Sequence, residues 1–292
     1  MDRILDLVRE TPPFTRYWCT SIIVAGAITH FKVLSPVALA FIPEKTFNGQ
    51  PWRLLTSFCF RNELSLMLFP KVYMVAISLQ SYEGGYSTKE AIFPKSFGKL
   101  LAIKRQRLVE FADTNKTIDF LYFVFQIWLS IVIVNTIGYY KYNFRVVFPG
   151  DVMDEILLYI DCRSRPNIVI NLMGLFDVRV VYLPVINIIF NYVLSGNVFA
   201  DLVGILTGNF ENSFKGFKKD VVWMYLMIYV LGHFWWYMRE YLMQVVYYDL
   251  DRERSNLRGK TMDQYGVNRV NFIREALVVL VLPPWYWVVA GR

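Results

Sequence analysis

Cysteine and histidine are scarce in this chain. Cys19, Cys59 and Cys162 stand far apart and odd in number, so they form neither a disulfide framework nor a metal site. The only histidines are His30 and His233, and no His-Glu-x-x-His occurs. Gly-x-Gly-x-x-Gly and the Gly-Lys-Ser/Thr phosphate loop are missing as well, so no cofactor is expected. Charged residues are only 19% of the 292, whereas 55% are hydrophobic and 17% aromatic, with a mean hydropathy of +0.34. A soluble globule of this size seldom carries so much apolar surface, and an all-α polytopic membrane protein is expected. The net charge of +7 lies mostly in loops and tail, the pattern of a cytosolic membrane face. The aromatics fall inside lipid-length runs, which argues against nucleic acid as a partner.

A bilayer core needs about 20 helical residues. Apolar runs at about 17–34, 64–79, 120–140, 180–194 and 221–238 are the candidate spans, and 151–162, which hydropathy alone does not mark, is counted as the fourth only on the family resemblance that the motifs carry. The N-terminal segment lacks a signal-peptide apolar core before a cleavage site, so the first span is expected to stay as an anchor. Pro70, inside the second span, predicts a kink. The third is the clearest, since 120–140 holds no charge. The fourth contains Asp151, Asp154 and Glu155, which places them either just outside the membrane or facing protein or water. Residues 80–118 carry Lys89, Lys95, Lys99, Lys104, Arg105, Arg107 and Lys116 and are predicted as an inserted cytosolic loop. With Arg3, Arg9 and Arg16 ahead of the first span, the N-terminus is expected on the same cytosolic side as this loop, and six spans would put the C-terminus there too. Residues 239–292 form a cytosolic tail with an apolar segment at 276–290, too short to span and broken by Pro283 and Pro284.

Between the first two spans lies Gln50-Pro51-Trp52-Arg53-Leu54-Leu55-Thr56-Ser57-Phe58. A Trp beside an Arg suits a lipid–water boundary, with the indole at headgroup depth and the guanidinium wet or paired. Upstream runs Thr11-Pro12-Pro13-Phe14-Thr15-Arg16-Tyr17-Trp18. Downstream come Arg165-Pro166-Asn167-Ile168-Val169, Gly174-Leu175-Phe176 and Tyr182-Leu183-Pro184. In this order and separation the chain resembles the derlins, members of the rhomboid superfamily without protease activity. The resemblance is carried by 11–60 and 162–194, and it implies a six-transmembrane rhomboid-like helical bundle in the endoplasmic reticulum membrane.

The residues agree with the missing catalysis. A rhomboid protease needs a Gly-x-Ser-Gly serine at the head of its fourth helix and a histidine from the sixth. No Gly-x-Ser-Gly occurs, and no serine lies between Ser130 and Ser164. His233, preceded by Gly232, stands where the base would come, with nothing to activate. Gly204 and Gly208 have the small-xxx-small spacing that lets helices approach closely, and resemble the opening of the derlin sixth helix. The resemblance implies a role in endoplasmic-reticulum-associated degradation, helping misfolded proteins reach a membrane ubiquitin ligase complex with its lumenal adaptor and scaffold. An AAA ATPase would be reached indirectly, because the tail lacks the Phe-x-Gly-x-Gly box of many derlins. Trp52, Arg53, Gly232 and His233 are the expected substrate-handling residues, with short spans thinning the bilayer around them. Two rival readings stand beside this one: a carrier using Asp151, Asp154, Glu155 and His233 as an intramembrane relay, and a divergent protease.

Overall fold

The computed structural model describes residues 11–66, 68–88, 93–94, 102–165, 167–172, 176–186, 222–239 and 276–291. Its elements are α1 (Pro13–His30), α2 (Pro36–Leu39), α3 (Pro43–Phe47), α4 (Arg53–Cys59), α5 (Leu68–Gly85), α6 (Ala102–Thr114), α7 (Lys116–Tyr142) and α8 (Gly150–Ser164). Strands β1 (Val169–Leu172) and β2 (Phe176–Arg179) follow, then a 3-10 turn at Val180–Tyr182. Helices α9 (222–239), α10 (276–281) and α11 (Trp285–Gly291) close the order. Two compact units result, one from 1–84 and 127–233 and the other from 85–126 and 234–292. Gly204, Gly208 and the tail between 240 and 275 lie outside the described residues.

In the first unit the helix ends are fastened by side chains distant in sequence. Pro13 opens α1 at the position where a missing N–H does no harm. The next two N–H groups, of Phe14 and Thr15, donate to the Glu83 carboxylate at 3.1 and 2.8 Å, and the Thr15 hydroxyl joins them at 2.8 Å. A carboxylate thereby satisfies orphan donors at the positive end of the helix dipole. Lys32, at φ 57°, ends the helix, and the Val33 N–H folds back to the Ile28 carbonyl at 3.0 Å. Gly26 lets the following loop approach α1, where an added Cβ would lie 2.9 Å from both the Asn62 carbonyl and the Leu68 side chain.

Helix α8 explains a segment that hydropathy alone does not mark. It is buried nearly all round, with Val152, Met153, Ile156, Leu157 and Ile160 at most 1% exposed and even Glu155 and Asp161 buried, so it is a core helix rather than a one-sided one. Near its end Leu158 and Cys162 pack with Met74, Val180 and Leu183, and Ile170 of the β hairpin covers that cluster.

Several expectations change here. The all-α prediction meets a small exception in antiparallel β1–β2, where Val169 pairs with Arg179 and Leu172 with Phe176. Pro70 makes no mid-helix kink: α5 begins at Leu68, so the proline falls in the first turn, where its missing N–H has no partner to lose. Residues 33–51, between the first two expected spans, contain two short helices that each start at a proline. The predicted 180–194 span is described only to 186, beginning with the 3-10 turn. Among the described residues one helix, Lys116–Tyr142, is long and apolar enough to cross a membrane. Ile118, Leu121, Phe125, Leu129, Ile133 and Ile137 form an exposed stripe along it at helical spacing.

The second unit joins the segment predicted as a basic loop to the apolar tail. Helix α6 lies in that loop and turns Leu108 and Ala112 toward Val278, Val281, Leu282, Tyr286 and Ala290. Phe93 completes the cluster. Asp119, fully buried in the first turn of α7, accepts hydrogen bonds from the Thr88 and Tyr286 hydroxyls and, at 2.9 Å, from the Trp285 indole. Tyr86 stacks on Phe123, and the Arg239 guanidinium lies over both rings at 4.4 and 4.7 Å.

Candidate functional site

The first unit gathers charge at the head of α8. Arg61, its side chain 2% exposed, donates through Nε and Nη2 to Asp154 Oδ2 at 2.9 and 2.6 Å. Its Nη1 meets the Phe58 carbonyl, and its Nε lies 3.2 Å from Asp151. Trp18 completes the arrangement by donating its indole N–H to Asp154 Oδ1 at 3.1 Å while its ring faces the guanidinium at 5.8 Å. A buried charge of this kind is tolerable only when paired and hydrogen-bonded throughout. Gly150 makes the approach possible, since a Cβ there would overlap Arg61 Nη1 and the Phe58 carbonyl. The two carboxylates differ in access: Asp154 is 11% exposed and Asp151 42%, so the cluster is sealed on one side and open on the other.

Arg53 is the second anchor. It is 6% exposed, and its guanidinium donates to the Val37 and Ala40 carbonyls at 2.6 and 2.8 Å and to Gln50 Oε1 at 2.6 Å. The guanidinium is paired with backbone, and it pins the 36–50 segment to the start of α4. Trp52 points away, 53% exposed. Beside this segment lies a mostly apolar cavity of about 290 Å³, lined among others by Pro36, Phe41, Asn135, Tyr139 and Val146.

Gly232 and His233 meet a common partner. The Tyr159 hydroxyl lies 3.3 Å from His233 Nδ1, and a Cβ on Gly232 would come within 2.9 Å of the Tyr159 ring. Arg163, one turn on, donates to the same hydroxyl at 3.3 Å. Of the four groups in the carrier reading, Asp151 and Asp154 converge on Arg61, whereas His233 meets Tyr159. Among the described residues no group of His, Cys, Asp and Glu could hold a metal ion.

Sequence reasoning singled out Asp151 and Asp154 but not their cation, and it passed over Glu83 altogether. One signal was available for each. Arg61 is the first charge after the apolar stretch 54–60, and Glu83 closes an apolar helix just before Gly84-Gly85. The motif 11–18 reads differently once folded: Pro13, Thr15 and Trp18 are the residues that start α1 and fasten it to Glu83 and Asp154.

Comparison with known proteins identifies the family. The model of the Der1-like family matches residues 11–220, which includes 201–208 and ends one residue before the predicted sixth span. Among curated proteins, a probable derlin-2 homolog of Dictyostelium discoideum is 22% identical over 70% of this chain and 71% of its own length. Derlin-1.1 of Zea mays is 23% identical over 76% and 84%, and derlin-1 of Oryza sativa subsp. japonica 25% over 70% and 72%. Derlins are rhomboid-like pseudoproteases of the endoplasmic reticulum membrane with a role in degradation there. With most of its length matched and the fastening residues of α1 inside the match, the chain belongs to the Der1-like family, the derlins.

Proposed function

We propose that this protein is a non-catalytic component of endoplasmic-reticulum-associated degradation that lines a thinned, half-open polar path for misfolded proteins. The observation that carries the reading is the Arg61–Asp154 pair at the head of α8. At 15 residues, α8 reaches about 22 Å, short of the roughly 30 Å hydrocarbon core. A short helix headed by charge draws the bilayer thinner around it. The half-exposed Asp151 gives water a place to stand at that head. A wet, thinned path lowers the cost of moving a polar chain through lipid, otherwise several kcal/mol for each unsatisfied backbone group.

In this reading the chain is a six-span bundle with both termini cytosolic. Trp52, on the segment pinned by Arg53, handles substrate at the lumenal mouth, while Gly232 and His233 set the packing of α9 on α8. With α8 taken as the fourth helix of the rhomboid-like pattern, its head carries Arg61 and two carboxylates where that pattern would have a protease's serine. No hydrolytic step follows from them. Partners are a membrane ubiquitin ligase complex with its lumenal adaptor and scaffold, and through it the AAA ATPase.

Affinity purification of the tagged chain from mild-detergent-solubilised membranes, read by mass spectrometry, tests the reading. Co-purification of the ligase and its lumenal adaptor is expected. A preparation without them, together with unchanged decay of misfolded lumenal substrates after deletion, would overturn it.

A further inference from the structure

Helix α10 ends at two consecutive prolines, and that ending creates a problem whose solution indicates where the tail lies. In a helix each carbonyl accepts from the N–H four residues on. For Val279 and Leu280 those residues are Pro283 and Pro284, which have none. The Leu280 carbonyl instead accepts from the side-chain amide of Gln126, the one amide side chain in the first half of the charge-free 120–140 run. In water such a carbonyl would need no help. A carbonyl in hydrocarbon must find a protein donor.

Depth can be read along α7. Its last charge before the apolar run is Asp119, and Gln126 lies seven residues further, about 10 Å down the axis. The tail follows that descent. Trp285 and Tyr286 hold Asp119, Trp285 meets Tyr122 edge-on at 5.4 Å, and Leu280 reaches Gln126. Asp119, Tyr122 and Gln126 form the face next to the exposed Ile118–Leu121–Phe125 stripe, so the tail extends that stripe sideways. Its own outward residues are apolar: Val279, Leu280, Trp287 and Val288 are 63, 49, 38 and 57% exposed. Val278, Val281, Leu282 and Tyr286 face the other way, into the cluster with α6.

We propose that residues 276–291 form a re-entrant hairpin sunk in one leaflet beside α7, with acyl chains as the partner of its outer face. The occupant is lipid because the face continues the lipid-facing stripe of α7, and because Trp285 and Tyr286 meet Asp119 at the level where interfacial aromatics gather. The inference rests on α7 crossing the membrane with the basic stretch 80–118 on its cytosolic side, as in the proposed topology, which makes the leaflet the cytosolic one.

Nitroxide labels on the full-length chain in phosphatidylcholine–phosphatidylserine liposomes test it. The labels go on Val279→Cys, on Ile133→Cys in the α7 stripe and on Glu110→Cys on exposed α6, with the three native cysteines replaced. Collision with dissolved oxygen marks lipid, and collision with a water-soluble nickel chelate marks water. The Val279 label is expected to behave as the Ile133 label does, and opposite to Glu110. A Val279 label that meets the nickel chelate, or neither quencher, overturns the hairpin while leaving α7 in the membrane. Nickel access at Ile133 instead overturns the membrane reading of α7, and the hairpin with it. Should the cysteine replacements prevent folding, brominated phospholipid on the native chain gives the same answer: quenching lost in Trp287→Phe supports the hairpin, and unchanged quenching overturns it.

Discussion

Each of the two units buries an aspartate, and the two do different work. In the first unit Asp154 holds a cation: Arg61 is buried with it, and Trp18 takes the remaining oxygen. In the second, Asp119 holds three neutral donors, Thr88, Trp285 and Tyr286. Removing the first leaves a buried guanidinium with only the half-exposed Asp151 beside it, whereas removing the second leaves neutral groups short of one acceptor. Burial alone therefore does not rank the two positions.

Breaking the comparison at its strong end, Asp154→Ala is expected to cost about 3 kcal/mol, the low end for a buried pair deprived of one partner, because Asp151 stays 3.2 Å from Arg61. The measurement is loss of folded protein with temperature or denaturant in detergent, against the parent chain. Arg61→Met with Asp154→Leu should recover most of that loss, because a well-packed apolar pair replaces the charges without stranding either. A double variant as unstable as the single one would mean that the charges matter beyond their own pairing.

Glu83→Ala comes next. Two backbone N–H groups and the Thr15 hydroxyl lose their acceptor at the buried start of α1, and a loss of about 3 kcal/mol follows for donors to a charged group. Glu83→Gln keeps an acceptor oxygen and should recover part of it. If alanine and glutamine behave alike, the helix start is being satisfied by water. Asp119→Ala is smaller, about 2 kcal/mol for neutral donors left unpaired. It is best read as faster proteolysis within 276–291, since Trp285 and Tyr286 lose their anchor.

The charged residues of both units also show what the sequence could convey. The motif 11–18 and the Trp52-Arg53 pair were legible, and the structure gives each a task at a helix start or loop anchor. The long charge-free run that became α7 was equally plain. Arg61, Glu83 and Asp119 were not, because each is one charged residue at the edge of an apolar stretch with partners 93, 68 and up to 167 positions away. Periodicity reports on local faces and carries nothing about such pairings. The β hairpin escaped for another reason. Its strands are four residues long, too short for alternation to stand out, and they lie between apolar segments that already read as spans.

Trp52 is the residue where stability and function should separate. It sits at the N-cap of α4 with about half its surface exposed and touches none of the anchors that hold the segment, which belong to Arg53. An exposed side chain away from buried polar groups changes stability by no more than about 0.5 kcal/mol when truncated. Trp52→Ala should therefore melt with the parent chain, yet slow the clearance of a misfolded lumenal substrate followed by pulse–chase. Arg53→Ala frees two backbone carbonyls and the Gln50 amide, so it should lower both stability and clearance together. The contrast discriminates between a tryptophan that handles substrate and one that merely sits at the boundary: if Trp52→Ala clears substrate at the parent rate, the exposed indole has no part in the polar path, and the 36–50 segment matters only through the arginine that holds it.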